Sequence, residues 1–250
     1  MKLSKNKKHQ YLFFLILSVY TIFNGGNSNI LIQINFILIS LLFVYCLKDK
    51  NYYLHFKIFY TKNKISISFY VLFLLYLIFQ IIPLPIEYLK LFSSFKYDHI
   101  SRFSNNVLYS SISLSPSNSF FQILNFISLL ILVFIFKMIF YTNRHQNRLL
   151  FFLAFLGAFA ASVAIYFYLI GNPDFLMIKN INKNQSTGFF INTTVFSCFL
   201  TMCFFSGIEY LKKIDQYQKD NTNNFFDKVY IRIFLLLITI GIITSFSRLG

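Results

Sequence analysis

The sequence predicts an all-α protein, a polytopic bundle of about seven transmembrane helices. Three observations predict it. Only 12% of the residues are charged and 56% are hydrophobic, roughly half the charged share of a soluble domain. Six apolar runs, 30–47, 65–86, 119–141, 149–170, 189–211 and 229–246, approach the roughly 20 residues that cross a bilayer core of about 30 Å. The lysines fall between those runs, not on one basic face. The net charge of +15 therefore reads as membrane topology and not as a nucleic-acid surface.

A shorter run, Tyr11 to Phe23, follows the basic start Lys2, Lys5, Lys7 and Lys8. A cleaved leader has the same outline. However, Asn24-Gly25-Gly26-Asn27 offers no small-x-small cleavage site, and further apolar runs follow, so this run reads as the first of seven spans. With the N-terminus in the cytoplasm, alternation places 17 of the 23 basic residues inside. They are Lys2, Lys5, Lys7 and Lys8; Lys48, Lys50, Lys57, Lys62 and Lys64; Lys137, Arg144 and Arg148; and Lys212, Lys213, Lys219, Lys228 and Arg232. Outside remain Lys90, Lys96, Arg102, Lys179, Lys183 and Arg248. The bias holds at every inner segment, and it sets the orientation.

Segment 87–118 is the longest hydrophilic stretch. In and beside it, Ile86, Leu89, Phe92, Phe95 and Ile100 alternate with Lys90, Lys96 and Arg102, a pattern suited to a helix lying in the outer interface. Ser110 to Ser119 is turn-rich and supplies caps for a helix starting near Phe120. Segment 212–228 reads as a solvated connector. The chain therefore divides into residues 1–118, helices with the outer loop 87–118, and residues 119–250, a second set of helices.

The chemistry-bearing residues are few. Cys46, Cys198 and Cys203 lie inside apolar runs, and His9, His55, His99 and His145 are scattered, so neither metal nor cofactor is expected. The Phe and Tyr content matches a general bias toward Phe, Ile, Lys, Asn and Tyr more simply than a stacking surface. Lys137, Glu209 and Arg232 sit near inner helix ends. A buried ion pathway needs carboxylates in mid-span, so an ion-coupled transporter is disfavoured. Arg248, at the outer mouth of the last run, is costly in lipid. It is either a snorkelling helix-end residue or part of a site.

Four short patterns, in order, resemble the O-antigen ligase and polymerase family of bacterial polytopic membrane glycosyltransferases. Gln80-Ile81-Ile82-Pro83-Leu84-Pro85 is similar to that family's Q-x-x-P-L-P exit from a span. Ile112-Ser113-Leu114-Ser115-Pro116 resembles the I-S-L-D-P segment ahead of a helix, with Ser115 in place of Asp. Gly188-Phe189-Phe190-Ile191-Asn192, with Phe196 beyond, resembles G-T-F-x-N-x-N-x-F-A, with Thr194 and Ser197 in place of the second Asn and the Ala. Thr244-Ser245-Phe246-Ser247-Arg248-Leu249-Gly250 resembles the T-x-S-R-G stretch.

The resemblance implies a GT-C-type fold and transfer of a glycan from undecaprenyl diphosphate to an acceptor hydroxyl, such as that of lipid A–core, at the periplasmic face of the inner membrane. A polymerase or a protein O-oligosaccharyltransferase shares that chemistry, and a non-enzymatic membrane protein or transporter is the alternative outside it. Arg248 would then contact the diphosphate, because its planar guanidinium grips phosphate bidentately. Asn192 would bind sugar or phosphate, or else cap a helix. Gly188 would permit a tight turn or a close backbone approach, and Ser247 would bind substrate or act as a simple cap. Family members carry further spans and a large loop past this point. The expectation is therefore an N-terminal portion, incomplete after Gly250, with its catalytic residues beyond it and no activity alone.

Overall fold

Helix after helix forms because the apolar runs carry no backbone partner other than themselves. In lipid every N–H and C=O must be satisfied within the segment. The computed structural model describes residues 5–23, 28–103, 108–172, 185–217 and 225–246. Among them the order is α1 (Lys5–Ile22), α2 (Asn29–Leu47), α3 (Lys50–Lys62), α4 (Lys64–Phe79), β1 (Leu84–Pro85), α5 (Ile86–Phe92), α6 (Ser94–Phe103), β2 (Tyr109–Ser110), α7 (Pro116–Ile139), α8 (Asn143–Ile170), α9 (Thr193–Tyr217) and α10 (Phe225–Thr244). This is an α-helical membrane protein whose described sheet structure is one two-residue pair.

Four described helices, α2, α7, α8 and α9, are long and apolar enough to span a bilayer, and a fifth span arises if α3 and α4 count as one. That pair bends by 84° at its break. The sequence expectation was seven. The difference has physical causes. Helix α1 begins with Lys5, Lys7 and Lys8, and α10 carries Asp227, Lys228 and Arg232 in its first turns. Helix α4 ends at Phe79 and not at residue 86. Pro83 and Pro85 lack the N–H a helix needs and push their predecessors out of helical geometry. Two further boundaries differ. Residues 50–62, expected as an inner loop, are helical, and α7 starts at Pro116, not near Phe120. Proline's fixed φ suits a first helical position.

The chain divides into two compact units, unit 1 (Met1–Leu31 and Ile139–Gly250) and unit 2 (Ile32–Met138). In unit 1, α8, α9 and α10 pack on small side chains. Ala154, Gly157, Ala158, Ala160, Ala161 and Ala164 of α8 are buried. A Cβ added at Gly157 would lie 2.3 Å from Cys203 Cβ, and one at Gly241 would lie 2.8 Å from Ala161 Cβ. Such close backbone approach is how helices gain dispersion energy where lipid removes the hydrophobic drive. Hydroxyls within these helices turn back on carbonyls: Ser162 Oγ donates to Ala158 O at 2.8 Å and Thr201 Oγ1 to Ser197 O at 2.8 Å. Helix α1 joins α8 through Phe14 stacked on Phe152, centroids 4.2 Å apart.

Unit 2 packs on aromatic rings. Phe134 of α7 is buried and meets Phe43, Phe56 and Phe59 at 6.2, 5.2 and 5.9 Å. Tyr70 of α4 stacks on Phe126 at 4.1 Å and donates its hydroxyl to the Phe126 carbonyl. Yet α4 buries no residue fully. Lys137 rests its ammonium 5.9 Å from the Phe59 and Phe136 ring centres.

Candidate functional site

The segment before α9 is built by one glycine and a set of small neighbours. Gly188 has φ +56, a left-handed conformation that costs other residues about 1–2 kcal/mol. A Cβ there would also lie 3.0 Å from Ala164 Cβ and 3.4 Å from Ala160 O. The turn closes with Phe190 N–H donating to Thr187 O at 3.0 Å. Phe189 and Phe190 are then driven inward, onto the cluster of Ala160, Ala161, Ala164, Phe196 and Leu200. The buried amide of Asn172, at the end of α8, donates from Nδ2 to Gln185 O at 2.9 Å.

This segment is pinned to the end of α10. Ser186 N–H donates to Thr244 O at 3.1 Å, and the Ser186 and Thr244 hydroxyls are 2.9 Å apart. Ser186 and Thr187 are buried. Helix α10 closes with Ser245 Oγ on Ile242 O at 2.7 Å, and exposed Phe246 stands at φ +49. The structure thus ties the residues just ahead of the 188–192 pattern to Thr244, the first residue of the fourth pattern. Ser247 and Arg248, the cationic part of that fourth pattern, lie outside the described residues.

Asn192 sits exposed at the start of α9. Its Oδ1 accepts from Thr194 N–H at 2.8 Å, and its carbonyl accepts from Phe196 N–H at 3.0 Å. Of the two roles open to it in the sequence, the cap is therefore filled, as expected of an Asn at that position. The cap engages Oδ1 and leaves the Nδ2 end of the amide at the exposed, electropositive end of the helix. Chemically the corner offers amide and hydroxyl donors to an anion or a sugar. It contains no acid–base pair among the described residues, and no described group of His, Cys, Asp and Glu is disposed to hold a metal.

The other two patterns meet within unit 2. Leu84 and Pro85 pair antiparallel with Ser110 and Tyr109, and Ser113 N–H donates to Gln80 O at 3.0 Å. The turn they form is tied by Lys96 of α6, whose ammonium donates to Ser111 O, Ser113 O and Ser111 Oγ. Lys96 is only 8% exposed, and burial pulls its pKa below the usual lysine value. Sequence reasoning read Lys96 as one cation of an interfacial helix. The serines that surround it were visible, but the fold-back that makes them ligands was not.

Compared with family models, with curated proteins and with solved structures, the chain matches none. Its class is therefore that of an α-helical membrane protein, defined by its own apolar helices.

Proposed function

We propose that the chain is a glycosyltransferase of the O-antigen ligase type, seven spans with a cytoplasmic N-terminus in the bacterial inner membrane and a GT-C-like bundle. In this reading it takes a glycan from undecaprenyl diphosphate and passes it to a hydroxyl of lipid A–core or a related glycan acceptor. One observation carries the reading. Ser186, two residues ahead of the Gly188–Asn192 pattern, is hydrogen-bonded to Thr244, the first residue of the other pattern that resembles the family's substrate segments, and Thr244 lies four residues from Arg248.

In this reading Gly188 and Asn192 shape one wall and Arg248 neutralises charge as the lipid diphosphate departs. A preorganised guanidinium in a low-dielectric setting stabilises such a transition state by several kcal/mol. The test is glycan transfer to lipid A–core by the full-length protein in cells lacking their own ligase. Arg248→Lys keeps the charge but loses the bidentate fork, so transfer is expected to fall by about 10²-fold or more. Transfer at the unsubstituted rate removes Arg248 from the site. Orientation has its own test, cysteine labelling of His99→Cys and Asn143→Cys with Cys46, Cys198 and Cys203 replaced by alanine. Position 99 is expected to react from the periplasm and position 143 only from inside; the reverse pattern inverts the topology.

A further inference from the structure

Unit 1 contains a cavity of about 550 Å³ at the end where α8 begins, away from Gly188. Its walls come from α1, α8, α9 and α10. Along α8 the lining runs Arg144, Asn147, Arg148, Phe151, Phe152 and Phe155. Spacings of three, four and seven residues put these side chains on one helical stripe. The stripe is cationic and polar at the start of the helix and aromatic further along. From Arg144 to Phe155 it extends about 16 Å at 1.5 Å per residue, close to one leaflet of a bilayer core of about 30 Å.

The polar end is built but unfinished. Arg148 Nη1 donates to Gln10 Oε1 at 3.0 Å. A guanidinium can only donate, so this bond fixes the Gln10 amide with its NH₂ turned the other way. Gln10 is 2% exposed, and among the described residues neither Gln10 Nε2 nor Asn147 Oδ1 has a hydrogen-bond partner. Both residues line the cavity. A buried donor and a buried acceptor without partners are rare in a folded protein. Neither guanidinium forms an ion pair with a described carboxylate, the described pairs being Lys213–Glu209 and Lys228–Asp215. Among the described residues, exposed Asp227 of α10 supplies the one negative charge lining the cavity.

We infer that this crevice holds one membrane phospholipid whose headgroup bears an N–H or O–H donor. The phosphodiester takes the two guanidiniums and Gln10 Nε2, since Arg binds phosphate in a fixed fork. The headgroup hydroxyl or ammonium satisfies Asn147 Oδ1 and faces Asp227. The acyl chain lies along Phe151 and Phe155 and against the edge of the stacked Phe14–Phe152 pair. Tyr210 of α9, its ring 5.5 Å from that of Phe151, closes the side. The inference requires only a membrane-embedded chain and stands apart from glycosyl transfer.

Native mass spectrometry of the full chain in mild detergent tests it, with phosphatidylglycerol, phosphatidylethanolamine and phosphatidylcholine of matched acyl chains and with glycerol 3-phosphate. One phosphatidylglycerol or phosphatidylethanolamine is expected per chain, about tenfold preferred over phosphatidylcholine, which offers no donor to Asn147. Arg144→Gln changes an exposed side chain and so preserves the fold; it is expected to weaken retention by about tenfold. Glycerol 3-phosphate is expected not to displace the lipid. Equal retention of phosphatidylcholine, unchanged retention by Arg144→Gln, or displacement by glycerol 3-phosphate would each overturn the inference.

Discussion

The two units solve one packing problem in opposite ways. Unit 1 removes side chains: glycine and alanine let α8, α9 and α10 approach until backbone nearly meets backbone. Unit 2 adds them: rings of Phe43, Phe56, Phe59 and Phe126 fill the space around α4 and α7. In the first, a Cβ added at Gly157, Gly207 or Gly241 would stand less than 3.0 Å from a neighbouring atom; in the second, α4 buries no residue fully. Gly188, Asn192 and Thr244 belong to the closely packed unit 1.

Substitutions break this contrast in a definite order. Gly157→Leu places its Cβ 2.3 Å from Cys203 Cβ, an atom bonded to the backbone that cannot swing aside. It is expected to cost unit 1 at least about 3 kcal/mol, read as loss of cooperative thermal unfolding in detergent. Phe134→Ala removes the ring at the centre of unit 2's aromatic cluster. About 2 kcal/mol is expected, below the roughly 3–5 kcal/mol usual for such truncations, because lipid occupies part of the space. Equal costs for the two would erase the distinction between the units. Gly188→Ala is the smallest change, about 1 kcal/mol from its left-handed φ. It sharpens the comparison, since its Cβ also presses on Ala164 and so shifts the 186–192 segment against α10.

Much of the helical plan was legible in the sequence. Apolar run length predicts α2, α7, α8 and α9 because a membrane helix satisfies its own backbone. The ends were less legible. Pro83 and Pro85 end α4 early, and the lysines of segment 48–64 hide a helix that charge counting reads as a loop. In the candidate site, Gly188 and Asn192 were visible as residue types, and the structure gives each a physical role, a left-handed turn and a cap. The pairing of Ser186 with Thr244 was not legible, since two hydroxyls 58 residues apart carry no local periodicity. Gln10 and Asn147 escaped notice for the same reason: an unpartnered amide is a property of the packed structure.

The central claim is that the corner formed by Gly188, Asn192 and the end of α10 receives a lipid diphosphate. Its most direct test is binding of undecaprenyl diphosphate to the purified chain in nanodiscs, with Arg248→Ala beside it. Saturable binding is expected for the unsubstituted chain, weakened at least tenfold by Arg248→Ala. Identical binding by the two chains, or none by either, contradicts the account.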